Sequence, residues 1–124
     1  MDVRKTAIAI SLGRAALGGA LVLAPAKVAT AWVGSTGAEP AAQALARAVG
    51  IRDLAIGTGA ALAVLGEDDA AATWLAAAAL CDLGDVAATL AARDALPAAG
   101  VQGTVALAGV AAVVGAWASL ALRS

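Results

Sequence analysis

Four long apolar stretches constrain the fold of this 124-residue sequence more than any other feature. They cover about residues 7–24, 41–65, 70–92 and 101–122. At about 1.5 Å per residue, a helix over each stretch would roughly span the hydrocarbon core of a bilayer, which is about 30 Å thick. An open strand would leave backbone groups without hydrogen-bond partners in lipid, so we expect α-helices.

The composition also favours lipid over water as the surrounding medium. Hydrophobic residues make up 62% of the chain and charged residues 14%, whereas soluble domains have about 45–50% and about 25%. Small residues such as Ala and Gly would form a weak core in water, but in a membrane they let helices approach closely. A soluble Ala-rich helical bundle is the alternative. It would need a polar face on every helix, and residues 105–118 offer none.

Prolines and an acidic turn separate the four stretches. Pro25 and Pro40 bound the first connection, Glu67-Asp68-Asp69 forms the second, and Pro97 lies in the third. Within the first connection, Ala26 to Val33 predicts a short interfacial helix. We therefore predict an all-α protein of one domain, residues 1–124: an integral membrane four-helix bundle with up-down topology and a short interfacial helix after the first span.

Charge distribution indicates the location of the chain. Arg4 and Lys5 precede the first stretch, and positive residues there favour the cytoplasmic side. We expect a multi-pass membrane protein with both termini in the cytoplasm. Arg14 interrupts the apolar segment that a cleaved signal peptide would need. The net charge of −1 gives no basic surface for nucleic acid, so the expected partners are the lipid bilayer and either further copies of the chain or another membrane protein.

Five charged residues lie deep inside the apolar stretches, where ionised groups are costly, whereas Arg47 lies nearer the end of its stretch. They are Arg14, Arg52, Asp53, Asp82 and Asp85. Each would cost roughly 2.5–3.5 kcal/mol at the centre of a membrane helix if unpaired. Their positions place them in the same half of the bilayer, between about 10 and about 16 Å deep on the helical rise. We therefore expect them to meet in one buried cluster.

The pairing within this cluster can be anticipated in part. Asp82 and Asp85 share one stripe of their helix, because residues three apart are neighbours on a helix surface. Arg52 and Asp53 are about 100° apart, so both should not point at one partner. The hypothesis is an ion network of Arg52 and Arg14 against Asp82 and Asp85. Two interpretations stay open: charges that only fix helix packing, or a site that binds a proton or ligand.

Other residues suggest little further chemistry. Arg47 and Arg93 are peripheral candidates for the cluster. The sequence has no His and a single cysteine, Cys81, so it predicts neither a metal site nor a cofactor. No nucleophile with a neighbouring base can be recognised, which favours a non-enzymatic protein.

Three groups of residues resemble a known family. They are Leu12-Gly13-Arg14 with Leu23-Ala24-Pro25 and Trp32-Val33-Gly34; Arg47-Ala48-Val49-Gly50-Ile51-Arg52-Asp53-Leu54-Ala55-Ile56-Gly57; and Asp82-Leu83-Gly84-Asp85. Together they resemble a family of small bacterial four-helix integral membrane proteins of unknown function, akin to the DoxX-like proteins. The resemblance implies a four-helix membrane bundle. It implies no reaction, although some DoxX-type proteins are associated with quinone-linked sulfur oxidation.

Three functions are compatible with these features. The first is a non-enzymatic accessory or oligomeric membrane subunit, favoured by the short loops and glycine-rich helix faces. The second is a small proton-coupled transporter that uses the carboxylates of the cluster. The third is a membrane redox subunit that binds quinone or lipid. It is the least favoured, because no aromatic residue lies near the cluster to stack on a quinone ring.

Overall fold

The computed structural model describes all residues from Met1 to Ser124 and is entirely helical, without β-strands. It contains five α-helices: α1 (Val3–Leu23), α2 (Pro25–Val33), α3 (Pro40–Val64), α4 (Asp68–Ala91) and α5 (Ala98–Arg123). Two short 3-10 helices, Ser35–Ala38 and Arg93–Ala95, lie in the connections. The short helix predicted after the first apolar stretch is α2.

Capping residues and prolines explain where the helices start. The Asp2 carboxylate accepts hydrogen bonds from the backbone N–H groups of Arg4 and Lys5, so α1 begins at Val3, before its apolar stretch. The bond from Lys5 in particular lowers the pKa of Asp2 below its usual value. Pro25 and Pro40 occupy the first positions of α2 and α3, where the missing N–H has no intrahelical partner to lose.

The four long helices form two closely packed pairs. In the first pair, glycines bring α1 and α3 into backbone contact. A Cβ on Gly57 would lie 2.6 Å from the carbonyl oxygen of Ser11, and one on Gly50 would lie 2.7 Å from the carbonyl oxygen of Gly18. Only glycine permits such an approach, because any side chain would displace the neighbouring backbone.

The second pair, α4 and α5, packs through alanines and one hydrogen bond. Ala72, Leu75 and Ala118 are fully or almost fully buried in the main apolar cluster. The hydroxyl of Ser119 donates to the carbonyl oxygen of Ala72 at 2.7 Å. Near the same end of the molecule, Arg4 pairs with Asp68. The start of α1, the end of α3, the start of α4 and the end of α5 therefore lie together.

At the opposite end, α2 packs against the other helices. The Trp32 indole N–H donates to the hydroxyl of Thr89 at 3.1 Å, which links α2 to the end of α4. Gly100, at the start of α5, packs against the backbone carbonyl of Trp32, where a Cβ would collide. The α2 segment is therefore held against both α4 and α5.

Three helices, α1, α4 and α5, are long and apolar enough to cross a membrane by length and composition. α3 is also long, with 25 residues, but any 18-residue stretch within it contains Arg47, Arg52 and Asp53. The prediction of four apolar spans is therefore supported for three helices. The remaining helix is α3, whose three charged residues lie in its interior.

Candidate functional site

Three helices bring together the five charged residues that the apolar stretches contain. α1 supplies Arg14, α3 supplies Arg52 and Asp53, and α4 supplies Asp82 and Asp85. Each of the five takes part in at least one ion pair with another member of the group. We call these five residues the charge network.

The charge network is an open chain in which the sign alternates: Asp82, Arg14, Asp53, Arg52, Asp85. Arg14 pairs with Asp82 on one side and with Asp53 on the other, Nη1 to Oδ1 at 3.0 Å. Arg52 reaches Asp53 Oδ1 at 3.0 Å. It holds Asp85 in a bidentate pair, with 3.1 Å from Nη1 to Oδ1 and 2.8 Å from Nη2 to Oδ2. Bidentate geometry of this kind gives the stronger charge-assisted hydrogen bonds.

The observed pairing differs in detail from the hypothesis drawn from the sequence. Arg52 pairs with Asp85 but not with Asp82, which instead pairs with Arg14. Asp53 joins both arginines, whereas the hypothesis gave it no partner. The reason is that the long, flexible Arg52 side chain reaches the carboxylate of its own neighbour through Nε and Nη2, a contact that the angle between the two Cβ directions does not exclude.

The charge network crosses the boundary between the two helix pairs. Arg14 joins α1 to α3 through Asp53 and also reaches α4, where it contacts Asp82 and donates to the Ala78 carbonyl oxygen at 3.2 Å. Arg52 joins α3 to α4 a second time, through Asp85. The polar links between the pairs therefore lie where the apolar packing is thinner than within each pair.

One end of the charge network is buried and the other is open. The side chains of Asp53, Asp82 and Arg14 are 5%, 9% and 10% exposed, but those of Asp85 and Arg52 are 21% and 31% exposed. The accessible part of the network is therefore the Arg52–Asp85 pair, which lies between α3 and α4.

The two peripheral candidates lie outside the charge network. Arg47 donates to the carbonyl oxygen of Val22 at 3.3 Å, and Arg93 donates to that of Leu90 at 3.0 Å. Both arginines are exposed and neither forms an ion pair. Their hydrogen bonds go to helix carbonyl groups near helix ends, where cationic side chains are favourable.

Next to the open end, α4 presents a face made only of small residues. Ala77, Cys81, Gly84 and Ala88 follow one another at helical spacing along one stripe. Ala77, Gly84 and Ala88 are exposed and Cys81 is half-buried. A Cβ on Gly84 would meet nothing within 4 Å. These four residues form what we call the α4 small-residue face, which the sequence motifs alone did not reveal because Gly84 could equally have been an internal packing position.

A small cavity lies at the buried end of the charge network. Its volume is about 10 Å³, and Ser11, Arg14 and Asp82 line it together with apolar residues of α3, α4 and α5. The Ser11 residue is 3% exposed, and its hydroxyl oxygen has no hydrogen-bond partner in the chain. In the sequence, the only indication of this feature is the position of Ser11 on the same face of α1 as Arg14.

The structure contains no group of three or more His, Cys, Asp or Glu side chains arranged to hold a metal ion. The arginines explain this for the three network carboxylates, because each carboxylate already faces a guanidinium group.

Comparisons with known protein families, with curated proteins and with solved structures find no match. The chemistry of the site therefore has to be inferred from its own geometry. The arrangement can hold ionised side chains in an apolar environment, lock two helix pairs together, and present one partly open ion pair to whatever surrounds α3 and α4.

Proposed function

We propose that this chain is a non-enzymatic subunit of a bacterial inner membrane, a four-helix up-down bundle that assembles with a second copy of itself through α4. We also propose that it belongs to the small four-helix membrane proteins akin to the DoxX-like family. The two most specific motifs of that resemblance, Arg52 to Gly57 and Asp82 to Asp85, supply four of the five network charges.

Membrane insertion is supported by where the apolar side chains lie. Leu107, Val110, Val113 and Leu120 are each between 64% and 71% exposed along α5, a helix with no charged residue before Arg123. In water such a surface would be an exposed apolar patch of the kind that aggregates. In a bilayer it would face lipid, and α1 and α4 have comparable length and apolarity.

The observation that carries the assembly proposal is the Arg52–Asp85 pair. Arg52 lies about 18 Å from the start of α3 and Asp85 about 9 Å from the end of α4 on the helical rise, and their side chains are 31% and 21% exposed. A charge pair open to acyl chains is expensive, because lipid cannot hydrogen-bond its remaining donors and acceptors. A protein surface that covers the pair would remove that cost.

The α4 small-residue face supplies the means of covering it. Stripes of small residues let two membrane helices approach closely, which is the main source of helix association in lipid. A two-fold axis near Cys81 would place this face against the same face of a second copy. It would also bring the Arg52–Asp85 pairs of both copies beside the interface, where opposite charges can face each other.

The only cysteine in the chain, Cys81, makes this proposal directly testable. We expect mild oxidation of native membranes to link two chains through Cys81, because a disulfide forms only when the two Cα atoms come within about 7 Å. Gly84→Leu should reduce the linked fraction about tenfold, the effect of losing about 1.4 kcal/mol of association. It should not lower the melting temperature, because nothing in the chain lies within 4 Å of the added Cβ position.

Two controls make the result specific. Gly13→Leu introduces the same side chain at another open glycine, on α1, and should leave Cys81 crosslinking intact. A Cys81→Ala, Leu107→Cys double variant moves the thiol to an exposed position of α5 and should not crosslink. A monomeric mass in nanodiscs together with no crosslinking through Cys81 would contradict the assembly. A pH-driven flux in proteoliposomes that Asp85→Asn abolishes would instead favour the small proton-coupled transporter.

A further inference from the structure

The cavity at the buried end of the charge network combines space with unused hydrogen-bonding capacity. The Ser11 hydroxyl lacks a hydrogen-bond partner, although the residue is only 3% exposed. A buried hydroxyl without a hydrogen bond is unfavourable, and nearly all such groups in proteins are satisfied by protein or by ordered water. The other residues with polar side chains that line the same cavity are Arg14 and Asp82.

The dimensions of the cavity limit what can occupy it. A volume of about 10 Å³ is close to the lower bound of about 10–15 Å³ for holding one water molecule. An internal water also needs at least two polar partners, and this cavity offers a hydroxyl, a carboxylate and a guanidinium group. Purely apolar cavities stay dry, so the three polar walls distinguish this site from a packing defect.

We propose that this cavity is a binding site for a single internal water molecule, held between the Ser11 hydroxyl, the Asp82 carboxylate and the Arg14 guanidinium group. The water extends the charge network by one hydrogen-bonded link on the side away from Asp85. It also satisfies the only buried side-chain atom that otherwise lacks a partner. The inference does not depend on the assembly through α4, because the site lies among α1, α3, α4 and α5 of one chain.

The test is water-selective solid-state NMR on the wild-type chain in lipid bilayers. Magnetisation should pass from water to the signals of Ser11 and Asp82 at short mixing times, and Ser11→Ala should weaken the transfer to Asp82, because the water loses one of its three partners. The matched control is Ser119, a residue 4% exposed whose hydroxyl donates directly to the Ala72 carbonyl oxygen at 2.7 Å. Ser119 should show no comparable transfer. That result would exclude the alternative that any buried hydroxyl proton, without a bound water beside it, relays the magnetisation.

Thermal unfolding gives a second readout whose sign separates a hydrated from a dry site. If the water is present, Ser11→Ala removes one of its partners and should lower the melting temperature by about 3 °C, the scale of a lost hydrogen bond. If the cavity is dry, the same substitution removes an unsatisfied hydroxyl and should raise it. A higher melting temperature, or transfer to Ser11 no greater than to Ser119, overturns the proposal.

Discussion

At the scale of single residues, Asp53 is the centre of the charge network. Its carboxylate accepts hydrogen bonds from both Arg14 and Arg52, and its side chain is 5% exposed. Asp85 stands at the open end and pairs with Arg52 alone. The two aspartates therefore offer a comparison between a buried and a partly exposed member of the same network.

Asp53→Ala should be far more destabilising than Asp85→Ala. Removing Asp53 leaves Arg14 and Arg52 without their shared carboxylate, and breaking a buried ion pair by deleting one partner costs about 3–5 kcal/mol. For Asp85→Ala we expect a smaller loss, because only one ion pair is removed and its side chains are already 31% and 21% exposed. Denaturant unfolding of both variants in detergent measures the difference. Equal losses, or no loss for Asp53→Ala, would show that the network does not stabilise the fold.

At the scale of helices, glycine has two distinct uses along the chain. Gly18, Gly50 and Gly57 lie where α1 and α3 touch backbone to backbone. Gly13 and Gly84 lie on outer surfaces, with nothing within 4 Å of a Cβ. A glycine inside a helix is about 1 kcal/mol less favourable than alanine, so the internal glycines compensate for that cost through close packing, and the outer ones have no compensation within a single chain.

Gly57→Ala and Gly13→Ala should therefore change stability in opposite directions. At Gly57 the new methyl group would lie 2.6 Å from the backbone of Ser11 and Ala15, which forces α1 and α3 apart and costs about 1–3 kcal/mol. At Gly13 the methyl group meets nothing, so the helix gains up to about 1 kcal/mol. Thermal melts of the two variants in the same detergent measure this. A stable Gly57→Ala variant would contradict the close approach of the two helices.

At the scale of the whole molecule, one end gathers the N-terminus and the end of α5, and the other end holds α2 and Ser35–Ala38. Arg4 donates to the Val64 carbonyl oxygen at 2.5 Å, which ties the N-terminus to the end of α3. If the four long helices cross a bilayer, these two ends lie on opposite sides of it. Both termini then share one side, and the proposed cytoplasmic orientation of that side rests on the positive residues Arg4 and Lys5.

Single cysteines placed at the two ends test the membrane topology. In a Cys81→Ala background, Ser35→Cys should react with a membrane-impermeant maleimide added outside spheroplasts, and Ser124→Cys should react only after permeabilisation. Both positions are exposed at the ends of the molecule, so neither should be shielded by packing. The chain should stay with the membrane in alkaline carbonate and be released by detergent. Equal labelling of both positions in intact spheroplasts, or release by carbonate alone, would contradict an up-down membrane bundle.

The amino-acid sequence by itself determined the helical character of the chain and the positions of its charges. Long apolar stretches and Ala-rich runs favour helices through local backbone hydrogen bonding, and prolines such as Pro25 and Pro40 mark helix starts because of their fixed backbone angle. The cost of unpaired charges in apolar segments similarly predicts that Arg14 and Arg52 form ion pairs with the aspartates. These inferences need only neighbouring residues and the properties of the surrounding medium.

Only the tertiary structure decided which charges pair, which glycines are buried and where space remains. Arg52 pairs with Asp85 because of where α4 lies against α3, and with its neighbour Asp53 because its side chain is long and flexible. Gly57 is internal and Gly84 external, although both are helical glycines within five residues of a network residue in sequence. The Ser11 cavity depends on residues from four helices. Such features arise from the relative placement of distant segments, which helical periodicity along one segment does not encode.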